Sequence, residues 1–114
     1  MKKINRLKKS SDFKKTMNYN LKARTPQYLV FVKPSEFGFM RIGISVSKKV
    51  GNAVTRARVR RQIRAFFSIY NNYEKSYDIV VVTKPKFLEF SSLENKESLL
   101  SSISSLIAKG EKNK

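Results

Sequence analysis

The stretch Lys48-Lys49-Val50-Gly51-Asn52-Ala53-Val54-Thr55-Arg56-Ala57-Arg58-Val59-Arg60-Arg61-Gln62-Ile63-Arg64 decides how the rest of the chain is read. Lys48 to Gly51 reads as a loop, Asn52 is a good N-cap, and no Gly or Pro interrupts a helix from Ala53 to Tyr70. At about 100° per residue with Val59 at zero, Ile63, Phe66, Phe67 and Tyr70 fall between about −20° and 80°, a stripe suited to packing on a sheet. Arg56, Arg60 and Arg64 form one row near about 60°, 100° and 140°, while Arg61 and Arg58 lie near about 200° and 260°. Arginine thus occupies about half the helix circumference.

Isolated stability would not select this arrangement. Arginines near a helix N-terminus face the positive end of the macrodipole, and like charges at i, i+4 repel by a few tenths of a kcal/mol per pair, roughly. A phosphate backbone reverses the sign of that argument, because Lys48, Lys49, the free N–H groups near Asn52 and the guanidinium forks then converge on anions. The competing reading is a solvated basic face.

The remainder of the composition agrees with a polyanionic partner. The 114 residues hold 25 Lys and Arg against 8 acids, a formal charge of +17, and self-repulsion of that size opposes compaction unless an anion offsets it. The excess is uneven: residues up to Arg64 include 18 basic and 2 acidic side chains, whereas Ala65 onward has 7 and 6. With 40% hydrophobic residues the chain has enough apolar material for one folded domain. The absence of cysteine removes disulfides, thiolate metal sites and thiol nucleophiles, and with no apolar run near membrane length the expected compartment is the cytoplasm. Neither a membrane nor a protein partner is implied.

Outward from the arginine segment, Met40, Ile42, Ile44 and Val46 alternate with Arg41, Gly43, Ser45 and Ser47 as in a half-buried strand. Upstream, residues 1–9 read as a basic, partly mobile leader anchored by Ile4 and Leu7. Ser10 or Ser11 is expected to cap a short helix carrying Phe13 and Met17 on one side. Leu21 to Ala23 reads as a short edge strand and Tyr28 to Lys33 as a longer one, closed by Pro34. Downstream, Asn71 and Asn72 supply a helix stop, and Asp78 to Thr83 has the β-branched run of a central strand buried on both faces. Ser91 and Glu94 make a capping box for a last helix whose apolar residues run from Leu99 to Ile107, with Gly110 expected as its C′ residue. The domain therefore spans residues 10–109, and 110–114 form a charged tail.

Phe13, Tyr28 or Phe31 on an exposed face would stack on unpaired bases, although core burial is the commoner fate of such residues. The catalytic inventory is thin. There is no His or Cys, and the acids Asp12, Glu36, Glu74, Asp78, Glu89, Glu94, Glu97 and Glu111 lie outside the basic segment with no carboxylate cluster for a metal-dependent nuclease. No catalytic residue, metal ligand or tightly bound cofactor is assigned.

The run from Arg41 to Arg61, together with Arg6-Leu7-Lys8-Lys9 and Asp12-Phe13, resembles the protein component of bacterial ribonuclease P over nearly the whole chain. The resemblance implies an α+β single domain in αβββαβα order, a small sheet with the long arginine-rich helix in a left-handed crossover, against the general rule. It also implies a subunit that does not cleave but assists a catalytic RNA in removing the 5′ leader of precursor tRNA, with Mg2+ belonging to the RNA-containing holoenzyme. Lys48, Lys49, Arg58, Arg61 and Arg64 then match the RNA-subunit motif. Phe13, Met17 and Phe31, with Arg56 and Arg60 adjoining, match a cleft for the single-stranded leader. Two positions depart from the family: Ala57 replaces an asparagine between the motif arginines, and Met17 replaces an aromatic. A ribosomal or other structural RNA-binding protein is the alternative reading. A protein-only nuclease lacks the carboxylates, and a membrane-active cationic protein lacks a free amphipathic face.

Overall fold

The computed structural model describes residues 2–68, 70 and 73–112. Seven elements follow in the order α1 (Ser10–Asn18), β1 (Lys22–Arg24), β2 (Tyr28–Pro34), β3 (Arg41–Val46), α2 (Ala53–Ser68), β4 (Tyr77–Thr83) and α3 (Ser92–Lys112). The four strands form one sheet in the order β1-β2-β4-β3, with β1–β2 and β2–β4 antiparallel and β3–β4 parallel. A parallel pair needs a long connection, and α2 supplies it. The αβββαβα order inferred from the resemblance is the observed one, and β4 occupies the central, doubly buried place that its β-branched run demands.

Strand alternation divides the core in two. Tyr28, Val30, Val32, Ile42, Ile79 and Val81 face α2 and α3, where Val59, Ile63, Phe67, Leu99 and Ile103 are essentially inaccessible. Burying such a side chain contributes about 1.5–3 kcal/mol. Leu7, Phe31 and Val80 form a smaller cluster on the opposite face, with Phe13, Leu29 and Val82 packed against it.

The helix starts follow from local chemistry. Asn52 Oδ1 accepts from the Thr55 N–H at 2.9 Å and opens α2. At α3 the Ser91 N–H donates to Glu94 Oε1 at 3.0 Å while the Glu94 N–H donates to Ser91 Oγ at 3.1 Å, the reciprocal capping box. The exposed Glu94 carboxyl is held below its usual range, chiefly by the backbone hydrogen bond from Ser91.

Several expectations need correction. Lys9, not Ser10 or Ser11, occupies the N-cap of α1 and offers no side-chain cap, because the helix begins with the serines already inside it. Ile4 is exposed, whereas Leu7 is buried as expected and Asn5 joins it in the attachment, Asn5 Nδ2 donating to Met40 O at 2.7 Å and the Leu7 N–H to Ile42 O at 2.9 Å. Gly110 does not end α3. It is buried inside the helix, where an added Cβ would lie 3.3 Å from Leu21 Cδ2, so it serves close packing rather than a turn. Helix α2 is assigned to Ser68, and the proposed stop at Asn71 and Asn72 lies outside the described residues.

Candidate nucleic-acid interface

Cross-strand register arranges the α1 face of the sheet in rows. Lys33, Asp78 and Arg41 form the first, Lys22, Phe31, Val80 and Gly43 the second, and Arg24, Leu29, Val82 and Ser45 the third. Helix α1 is fixed over the first two. Asp12 accepts from Arg41 Nη1 at 3.4 Å, and Arg41 makes a two-pronged pair with Asp78, Nε to Oδ1 at 2.9 Å and Nη2 to Oδ2 at 2.7 Å. The Asp78 hydrogen bond is the largest influence raising the Arg41 guanidinium above its ordinary value. Thr16 is fully buried, and the Phe13 ring lies directly on Gly43, so closely that no Cβ fits beneath it.

The third row is covered less. Leu29, Val82 and Ser45 are half-buried, and Leu29 and Val82 extend the apolar floor beside α1. The row reaches Arg24 on β1, and Lys84, just past the end of β4, donates from Nζ to Thr25 O at 2.9 Å. A cleft of 670 Å³ opens there between Arg24, Pro26, Lys84, Pro85 and Lys86.

At the β3 edge the floor meets the arginine helix. Arg64 lines a 200 Å³ pocket together with Phe13, Arg6, Lys8 and Ile44. Arg60 and Arg56, one and two turns earlier in the same row, are half-buried, whereas Arg58, Arg61 and Arg64 are exposed. Lys48 and Lys49 are exposed on the short turn that follows β3. Arg58 points elsewhere, lining a cavity with Gln62, Phe87 and Leu88. Among the described residues no salt bridge engages any of these cations; the acids that do pair are Asp12 and Asp78 with Arg41, and Glu111 with Lys75.

The aromatic candidates separate. Phe13 is half-buried with one side toward the pocket, Met17 is exposed, and Phe31 is buried in the floor cluster. Tyr28 is not available for stacking. It is fully buried on the other face of the sheet, its hydroxyl donating to Asn95 O at 3.0 Å, because strand alternation turns it away from Phe31. Sequence reasoning missed Leu29, Val82 and Arg24, which only the strand order brings into one row, and Lys84 beyond the end of β4; it also grouped Arg64 away from Phe13, with which it shares a pocket.

The ribonuclease P family model matches residues 1–107. This chain belongs to the ribonuclease P protein family. The ribonuclease P protein component of Halalkalibacterium halodurans is 42% identical over 89 residues, covering 75% of this chain and 74% of that one. The Enterococcus faecalis ribonuclease P protein component is 39% identical over 102 residues, with 87% and 86% covered. Two solved family structures carry the same fold. The Staphylococcus aureus ribonuclease P protein superposes with a TM-score of 0.80 at 32% identity, covering 92% of this chain and 95% of that one. The Thermotoga maritima protein does so with a TM-score of 0.74 at 25% identity, covering 84% and 92%. Ribonuclease P proteins are thus the frame in which the basic face is to be understood. Among the described residues no helix is long and apolar enough to cross a membrane.

Proposed function

We propose that this chain is the RNA-binding subunit of ribonuclease P, assisting a catalytic RNA in removing the 5′ leader from precursor tRNA. Lys48, Lys49, Arg58, Arg61 and Arg64 bind the RNA subunit. Phe13, Met17 and Phe31, with Arg56 and Arg60 beside them, bind the single-stranded leader. The observation that carries this reading is the shared pocket of Phe13 and Arg64, which makes the arginine helix and the α1 face one continuous surface. An apolar floor walled by cations suits unpaired nucleotides, whose bases need a face to lie on and whose phosphates need charge.

The chain's own part is to bind and orient. Among the described residues no three His, Cys, Asp or Glu side chains come together, so the donor set offers no metal cluster and phosphodiester chemistry is assigned to the RNA with its Mg2+. The test is reconstitution with the ribonuclease P RNA of the same genome. Added protein is expected to promote cleavage of precursor tRNA at low magnesium, with RNA affinity falling by a log–log salt slope of roughly 0.7–0.9 per phosphate contact. Magnesium-dependent cleavage by RNA-free protein, abolished by a carboxylate substitution, would overturn the division of labour.

A further inference from the structure

The cavity beside Arg58 shares no lining residue with the pocket of Phe13 and Arg64. It measures 160 Å³ and lies between α2, which supplies Thr55, Arg58 and Gln62, and the turn Pro85–Glu89 with Phe90, which supplies Phe87, Leu88 and Phe90. A cavity of roughly 150 Å³ is the size of a benzene-sized ring. The wall is rigid: Asn95 Nδ2 donates to Phe87 O at 3.0 Å, and the Phe87 ring stands edge-on to Tyr28 with centroids 5.8 Å apart. The polar groups on the α2 side are uncommitted, since no side-chain hydrogen bond or ion pair engages Thr55, Arg58 or Gln62 among the described residues. Leu88, at the rim of the cavity, is 53% exposed.

Charge identifies the occupant. The turn Lys48–Val50 packs against Pro85–Glu89, so Lys48 and Lys49 are carried to the same end of the molecule as Arg58. Of the two carboxylates nearest in sequence, Glu94 is turned back into its capping box and Glu89 is exposed. A ring-sized slot lined by Phe87, Leu88 and Phe90 and by the polar groups of Thr55, Gln62, Ser92 and Asn95, with cations nearby, fits a nucleobase with its phosphate better than an apolar protein side chain.

We propose that this cavity receives one unstacked pyrimidine base of the RNA subunit, with Arg58 on an adjoining phosphate. The inference rests on the RNA-subunit reading above and adds a base-sized recognition point to its phosphate contacts. The volume suits one six-membered ring, which favours a pyrimidine over a purine.

Gln62→Trp tests it by filling the slot from an exposed helix position without changing charge. Affinity for the ribonuclease P RNA of the same genome is expected to fall about tenfold, the scale of one lost base contact, with the salt slope and the thermal midpoint of the free protein unchanged. Undiminished affinity of a folded Gln62→Trp protein overturns the proposal. Should that variant fail to fold, a benzophenone photocrosslinker placed at the exposed Leu88 position decides. Crosslinking to one unpaired cytidine or uridine supports the slot, and crosslinks to a purine or scattered along paired helices overturn it. Loss of RNA binding by the unaltered protein is a different result, which would instead refute the RNA-subunit reading.

Discussion

Gly43→Ala probes the contact on which the proposed leader cleft depends. An alanine Cβ at this position would stand 2.8 Å from Phe13 Cε1 and closer still to Cζ. Ordinary carbon contacts begin near about 3.5 Å, so the ring must retreat by most of an ångström. Phe13 packs on a cluster containing Leu7, Phe31 and Val80, which blocks a simple sideways move. Overpacking of this kind costs about 1–3 kcal/mol, although a ring with one open side favours the lower half of that range. For a domain near this size each kcal/mol lowers the thermal midpoint by roughly 4–8 °C. The functional effect is larger than the structural one, because a displaced ring no longer offers its face to a base, a loss of about 1–3 kcal/mol per stack. Holoenzyme reconstituted with Gly43→Ala should bind precursor tRNA about tenfold or more weakly, while binding of leaderless tRNA and of the RNA subunit holds, since α2 packs on the opposite face of the sheet. A lowered midpoint with leader discrimination intact would refute the stacking role of Phe13.

Three further outcomes follow from other contacts. Asp78→Asn leaves the Arg41 guanidinium facing a neutral amide at a site where the carboxylate is 5% exposed; a loss of about 3 kcal/mol is expected in urea unfolding, and no change would mean that Asp12 alone satisfies Arg41. Ala57 is exposed on the arginine side of α2, so Ala57→Asn should cost roughly some tenths of a kcal/mol of stability, lower the thermal midpoint slightly, and strengthen assembly or reduce the magnesium requirement. Unaltered cleavage at every magnesium concentration would remove position 57 from the interface. Glu94 has a folded pKa below its unfolded one, so its contribution is present above the ordinary carboxylate range and is lost as pH falls through the lower folded value. Glu94→Gln should therefore cost stability at neutral pH and flatten the acid limb of the midpoint-versus-pH curve, and an unchanged limb would show that the capping box carries no linkage.

The arginine helix was legible because its signal is local: Asn52 caps it, and the wheel that places Val59, Ile63 and Phe67 inward leaves Arg58 and Arg61 outward. The wheel also puts Arg56 at the margin of the apolar arc, where it is found half-buried. The central strand declared itself by apolar residues at successive positions, which only two-sided burial uses. What was not legible depends on partners distant in the chain. Gly110 resembles a helix stop until Leu21 is seen against it, and nothing in Leu29, Val82 or Arg24 shows that two strand pairings align them. Tyr28 and Phe31 are equally aromatic, and an odd separation along one strand sends them to opposite cores.

The attachment of Asn5 to Leu7 along β3 bears on self-association. A β-sheet has two borders with unpaired amides, each a template for a second copy. Here Arg6 pairs with Ile42 at one border, and at the other β1 is three residues long and exposes Lys22 and Arg24. One border is thus occupied by the chain's own beginning and the other is short and positively charged, which discourages strand-to-strand growth at the high concentrations of a purified cationic protein. Removing residues 1–8 would free the Ile42 carbonyl that now accepts from Leu7, and light scattering of that shortened chain should rise with concentration where the full chain's does not.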